Sequence, residues 1–376
     1  ATLRVVDTLI VDNTELGAVA SDERTLVELA ACVVRGTRFI ANRFGSAGVE
    51  AQRRATLRAT RTLIAGNAEA GVRAISPETR VELTSSVVRD TVPHEAGAQG
   101  FGLSAALGAT VRATGTLIER NTEVGVIASG EGTLVELVGS AVRGTRSRRD
   151  MTFGRGVEAN AGATASMTGT LLEEDREVAL YVHGQYTRLV ATDTLVVNVL
   201  QSRRDFGVGL FVAAGASADV RRMALQQLAG AGVIATSGGV GASRAFLEDL
   251  FVRDVRTSSV RFNEDAGTFA PEGEAVAYGL HTGDEGLVAA TRFVLDRGQV
   301  GVFNAGGTMS LRQGVITNQS EGAGAFRDGT PPDATTLGGV SLRENGPTCG
   351  GAGITRRSLT PASVPRPTDS CGGGGC

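Results

Sequence analysis

Apolar and polar positions along the chain alternate in short runs of three to six residues. The runs are rich in Val, Leu, Ile and Thr and are broken by Gly, Asn and Asp, which is the signature of short strands separated by turns. No stretch of 10 to 15 residues has helical spacing. The pattern also repeats. ATLRVVDTLIVDNTELGAV at Ala1 returns at Ala55, Ala109 and Ala163, each start 54 residues after the last. A related segment begins within each unit at Thr25, Thr79, Thr133 and Thr187, so units of 24 and about 30 residues alternate. A unit of three strands that cannot bury its apolar face alone must stack on its copies. The prediction is an all-β parallel β-helix in which each strand pairs with its counterpart one coil away. About 12 coils from Ala1 to about Thr330 would give a rod roughly 55 to 60 Å long, at about 4.8 Å per coil.

Aligned units form ladders. Ile10, Val34, Ile64, Val88, Ile118, Val142, Leu172 and Val196 make the interior stack. Two residues earlier, on the same side of the strand, run Thr8, Cys32, Thr62, Ser86, Thr116, Ser140, Thr170 and Thr194, read as a tight inner corner. Asn13, Thr37, Asn67, Thr91, Asn121 and Thr145 follow the apolar ladder by three and fit a turn whose side chains satisfy backbone groups. A Gly-aliphatic pair then opens the third strand, as at Gly71-Val72, Gly125-Val126 and Gly232-Val233.

This V-x-A-x-x-T-x-I-x-x-N-x-x-x-G-V pattern resembles the right-handed parallel β-helix repeat of the pectate-lyase-like superfamily, over about 330 of the 376 residues. The resemblance implies the fold and leaves the function open, because that fold carries polysaccharide lyases and hydrolases, tailspikes, adhesins and inert surface proteins. The expected division is a helix over 1–330 and a Gly/Pro/Ser-rich, cysteine-containing tail over 331–376.

Composition removes several functions. Forty acids balance 37 basic residues, all of them Arg, for a net charge of −3, so the broad positive field used for nucleic acid is missing. Arg without Lys, with abundant Ala and Gly, points to a high-GC bacterial genome. The longest apolar runs fall short of the roughly 20 residues of a spanning helix. No Walker loop, C-x-x-C pair or H-E-x-x-H helix occurs.

Chemistry peculiar to this chain should sit in the insertions of alternate coils, which all enter just after the Asn/Thr turn and would form a ridge along one flank. Four carry Phe-Gly pairs, at Phe44, Phe101, Phe153 and Phe206. Those rings either stack on a polymer or plug their own loops onto the rod. Ser147-Arg148-Arg149-Asp150 and Ser202-Arg203-Arg204-Asp205 repeat one motif in neighbouring long loops. Glu173-Glu174-Asp175 breaks the Asn ladder in the coil between, so acids are expected to face two arginine pairs. Such a cluster could take an anionic sugar through Arg and calcium through carboxylates, or be a salt-bridge network. Asn263, Glu264, Asp265, Glu272 and Glu274 of the longest loop are a second acidic group. His94, His183 and His281 fit no metal spacing and read as surface or loop residues.

Cys32 sits in the small-residue ladder as a buried free thiol. Cys349, Cys371 and Cys376 lie in the tail, where a Cys349–Cys371 disulfide is the preferred pairing and would imply an oxidising compartment. Ala1 is already in register, which leaves a ring of open strand edges of the kind that can join end to end. The expectation is a secreted or cell-surface, non-catalytic scaffold that could associate with itself into filaments. The alternative is a protein that binds or cleaves an acidic surface glycan.

Overall fold

The computed structural model describes residues 1–39, 45–94, 97–202, 207–257, 277–327 and 335–345, with 325–327 and the short strands 261–263, 268–270 and 354–355 as backbone only. The described chain is a parallel β-solenoid of about 11 turns with no helix. Each coil has three strand positions, as in Thr56–Thr60, Leu63–Ala65 and Ala70–Ile75. From Arg188 onward the corner between the first two straightens, and single strands such as Arg188–Val197 and Leu287–Asp296 cover both.

The predicted interior ladder is in register. Ile10 pairs with Val34, Val34 with Ile64, Ile64 with Val88 and Val88 with Ile118, and the run continues through Val142, Leu172 and Val196 to Leu225, Val252, Leu295, Ile316 and Leu342. Val34 through Ile316 are fully buried or nearly so. The stack runs beyond Thr330, since Thr335–Gly338 and Ser341–Arg343 pair with Met309–Arg312 and Val315–Thr317.

Hydroxyls in the inner corner bond to backbone. Ser86 Oγ donates to the carbonyl of Ala59 at 3.2 Å and accepts from the amide of Thr62 at 3.2 Å. Cys32 occupies the same slot, buried and free. At the next corner Asn67 Oδ1 accepts from the Thr37 amide at 3.1 Å while its Nδ2 donates to the Val34 carbonyl at 3.2 Å. Asn121 repeats this with Thr91 and Val88.

Glycine opens the third strand because backbones of adjacent coils meet there. A Cβ on Gly125 would lie 2.6 Å from Val142 Cγ1 and 2.7 Å from the Gly156 carbonyl. Ala179 occupies the same rung and is fully buried, so the stack can yield at one coil. Gly125→Ala should therefore cost about 1–3 kcal/mol, the range of moderate overpacking, read as a lowered denaturant midpoint. A loss below 0.5 kcal/mol would show that the neighbouring coils part without strain.

Outward positions of the first strand form a second regularity. Arg4, Glu28, Arg58, Glu82, Arg112 and Glu136 are register partners in turn. Arg58 Nε reaches Glu82 at 2.8 Å and its Nη1 lies 3.7 Å from Glu28. Opposite charges across adjacent strands favour this register over a slipped one.

Candidate functional site

The outer face of the third strand position is where charge and aromatic rings become buried together. One register line runs through Glu50, Arg73, Ser104, Ile127, Glu158, Tyr181, Phe211, Ile234, His281 and Phe303. Alternation aims these side chains away from the core, since neighbours such as Val157 and Ala159 point inward. Yet Glu50, Glu158, Phe211, Ile234, His281 and Phe303 are all buried. Tyr278, His281 and Phe303 pack as one aromatic group, with Tyr278 stacked on Phe303 at 4.7 Å between centroids.

The ridge loops are tied down by one recurring carboxylate. Glu69, Glu123 and Glu177 lie 54 residues apart, two positions after Asn67, Asn121 and Asp175, and all are buried. Glu69 accepts from the amides of Gly45 and Ser46 at 2.6 and 3.1 Å. Glu177 accepts from the Phe153 amide at 2.6 Å, and Glu123 pairs with Arg148. The spacing, N-x-E twice and D-x-E once, is visible in the chain, and only its meaning required the fold.

At the base of the loop 146–154 these features converge. The guanidinium of Arg155 pairs with Glu177 and reaches Glu158 Oε2 at 2.9 Å. It also lies 4.2 Å from the ring centroid of Tyr181 and 4.4 Å from that of Phe153. Tyr181 stacks on His183 at 4.5 Å with 23° between the planes. His183 Nε2 lies 3.2 Å from Glu158 Oε1, and its side chain is one-third exposed. Asn160 Nδ2 donates to the same Glu158 oxygen at 2.9 Å. Burial pushes the Glu158 carboxyl up, but the bonds from His183, Arg155 and Asn160 outweigh it and hold it at about 2. Arg155 is shifted upward, burial being overcome by Glu177 and Glu158. An ionised Glu158 can only accept, so His183 donates from Nε2 and Nδ1 becomes its acceptor nitrogen when the ring is neutral.

Among the described residues, neither Arg148 nor Asp175 takes part in the expected facing of acids and loop arginines. Arg148 is turned toward Glu123 and lies 3.9 Å above the Phe153 ring. Arg149 and Asp150 are exposed, and Asp150 Oδ1 closes a turn with the Thr152 amide at 3.0 Å. Glu173 ends the strand Leu171–Glu173, Glu174 is exposed at the corner, and Asp175 is fully buried inside the rod. Asp175 takes the place of Asn67 and Asn121, because its Oδ1 accepts from the Thr145 amide at 3.2 Å. A residue in that slot faces the core and cannot meet the loop arginines.

Of the Phe-Gly rings, Phe153 is clasped between Arg148 and Arg155 and Phe101 is half-buried at the start of the strand Phe101–Ala106. Neither belongs to an open row. Among the histidines, His94 and His281 are buried, and His183 and His281 lie on strands, not loops. Phe44, Arg203, Arg204, Asp205, Phe206, the side chains of the 258–276 loop, Cys349, Cys371 and Cys376 lie outside the described residues. Among the described residues no three His, Cys, Asp or Glu side chains converge as metal ligands.

Register and ladders define the chain as a parallel β-helix protein. No protein-family model matches it and no curated protein does. Among solved structures it is similar to the alginate lyase from Paenibacillus sp. str. FPU-7, at 11% identity and TM-score 0.47, covering 81% of this chain and 98% of that one. It is also similar to the catalytic unit of the thermostable GH87 alpha-1,3-glucanase from Streptomyces thermodiastaticus strain HF3-3, at 13% identity and TM-score 0.43, covering 88% of this chain and 64% of that one. At these values no residue and no activity is carried over from either.

Proposed function

We propose that the third-strand face around His183 binds an acidic polysaccharide and supports its cleavage by β-elimination. The carrying observation is the half-open His183, fixed by an ionised Glu158 and stacked on Tyr181 beside a loop rich in arginine. Neutral His183 would take the proton α to a uronate carboxylate through Nδ1. That electron pair would form the ring double bond as the bond to the leaving glycosidic oxygen breaks, and that oxygen would take up a proton from water. Arg149, exposed on the loop, and Arg203 and Arg204 of the following loop are the cations we assign to the substrate carboxylates, which must be neutralised for the proton to leave. Hydrolysis fits less well, because it needs one carboxyl that keeps its proton near neutral pH, whereas Glu158 and Glu177 both pair with Arg155.

The test is release of unsaturated uronides from alginate, polygalacturonate and glucuronan. His183→Ala should lower it by roughly 10²–10⁴, the usual contribution of a general base, in a variant that is still folded at the assay temperature. Equal turnover by wild type and variant, or no binding and no turnover by wild type on any of the three, overturns the proposal.

A rigid non-catalytic scaffold is the second reading, favoured by Arg148 and Arg155 being neutralised from within the protein. It predicts retained rod integrity with no turnover. Both readings place the chain outside the cell or at its surface, where such polymers are met, and cell fractionation checks that placement.

A further inference from the structure

The alternating Arg/Glu ladder on the outer face of the first strand position ends at Glu136. Its next members are Ser166, Val190, Asp219, Phe246 and Ala289. Where the Arg/Glu alternation stops, a groove opens across the coils from Arg188 to Thr291. Its floor is the ladder Val190, Asp219, Phe246 and Ala289, in which Asp219 is bonded to Arg188 at the rim, and Phe246 stands 44% exposed between the buried Ala245 and Leu247. Strand alternation accounts for that outward ring, and nothing in the described chain packs over it.

The rims of the groove carry charge that is already matched. Arg188 clasps Asp219 through Nε at 3.1 Å and Nη2 at 2.6 Å. Arg221 Nε lies 3.4 Å from Glu248 Oε2, and Arg292 also pairs with Glu248. The lining's two cations and two anions each have a partner, and Arg292 beside them is also held by Asp249, which leaves no net charge to attract an ionic ligand. A guanidinium engaged by one carboxylate still has N–H donors to offer, and the carboxylate has lone pairs. Thr192 and Thr291 add hydroxyls at the same rim. An exposed aromatic floor between rows of paired donors and acceptors matches a sugar ring, which has an apolar C–H face and an equatorial rim of hydroxyls. Three coil spacings make the groove about 14 Å long, enough for a short oligosaccharide lying along the rod.

We infer that this groove is a binding site for a neutral glycan, with Phe246 as the stacking platform and the Arg188–Asp219 and Arg221–Glu248 pairs as hydroxyl-recognising rims. It lies on a different strand position from His183 and does not depend on the elimination chemistry.

Calorimetric titration with cellohexaose and laminarihexaose tests it. At least one should bind wild type, and Phe246→Ala should weaken that binding roughly tenfold, the loss of one stacking contact. Phe246→Trp should bind at least as tightly, and His183→Ala should bind as wild type does. Melting temperatures of the Phe246 variants should match wild type, because the ring is half exposed. The inference is overturned if neither hexasaccharide binds, if Phe246→Ala binds both unchanged, or if a uronate oligosaccharide alone occupies the groove. It is also overturned if sedimentation shows a wild-type dimer that Phe246→Ala dissolves, since a second copy would then be the occupant.

Discussion

Asp175→Asn should make the protein more stable by about 4 kcal/mol at pH 7, with the gain growing between pH 4 and pH 8. Asparagine is the residue this corner uses elsewhere. Asn67 and Asn121 accept an amide proton on Oδ1 and donate from Nδ2 to the carbonyls of Val34 and Val88. Asn345 does the same to Ile316 at 3.0 Å. Asp175 keeps the accepting half, from Thr145, but its Oδ2 is buried with no hydrogen-bond partner. By analogy with its rungs, Oδ2 faces the Val142 carbonyl, an acceptor, and the two oxygens are compatible only if the carboxyl carries a proton. Burial pushes the group up to about 8, the bonds from Thr145 offsetting only part of it. The folded state therefore binds this proton more tightly than the unfolded chain does. The stability Asp175 contributes is fully present below pH 4 and is lost as pH rises toward 8, by about 1.4 kcal/mol per unit. The amide restores the donor at every pH. Denaturant midpoints of both proteins at pH 4, 7 and 9 decide the matter, and a gain that does not change with pH would show that Asp175 is ionised in the fold.

Asp175 also marks where reading the chain runs out. The interior ladders are legible because each rung must place the same kind of residue at the same point in every coil, as Val34, Ile64 and Val88 do. Spacing alone then locates the strands. An acid in the Asn ladder could be read as a break that turns outward toward arginines, since charge usually seeks water. The register instead keeps it inside, where burial pushes its carboxyl up. The third-strand face is illegible for the opposite reason. Glu158, Tyr181, Phe211 and His281 share one register line, but each is matched to a different set of neighbours on the adjoining strands, so no residue type recurs at a fixed interval. Glu69, Glu123 and Glu177 lie between these cases, because they recur every 54 residues and their role as loop anchors depends on which amides the insertions present.

Arg155 binds these levels together, and Arg155→Met should cost about 3–5 kcal/mol, the usual loss when one partner of a buried ion pair is removed. Its guanidinium serves two buried carboxylates and two rings at once. Methionine fills comparable volume against Phe153 and Tyr181, so the loss is mostly that of leaving Glu158 and Glu177 without a cation. The pH dependence separates this from lost packing. Wild-type Glu158, depressed to about 2 from an ordinary 4.5, contributes stability that is present above pH 4.5 and fades as pH falls through 2. Without Arg155, burial acts on that carboxyl with less opposition, its proton affinity rises, and the deficit of the variant should shrink as pH drops from 7.5 to 4. Lysine keeps the charge but not the planar fork that spans two carboxylates, so Arg155→Lys should recover only part of the loss. The same change reaches the proposed chemistry, because a protonated Glu158 no longer fixes His183 as a donor from Nε2, and turnover should fall further toward acid in Arg155→Met than in wild type. Unfolding at pH 4 and 7.5 measures the first effect. A deficit that is constant across that interval would mean that Arg155 acts through its contacts with the rings and not through its charge.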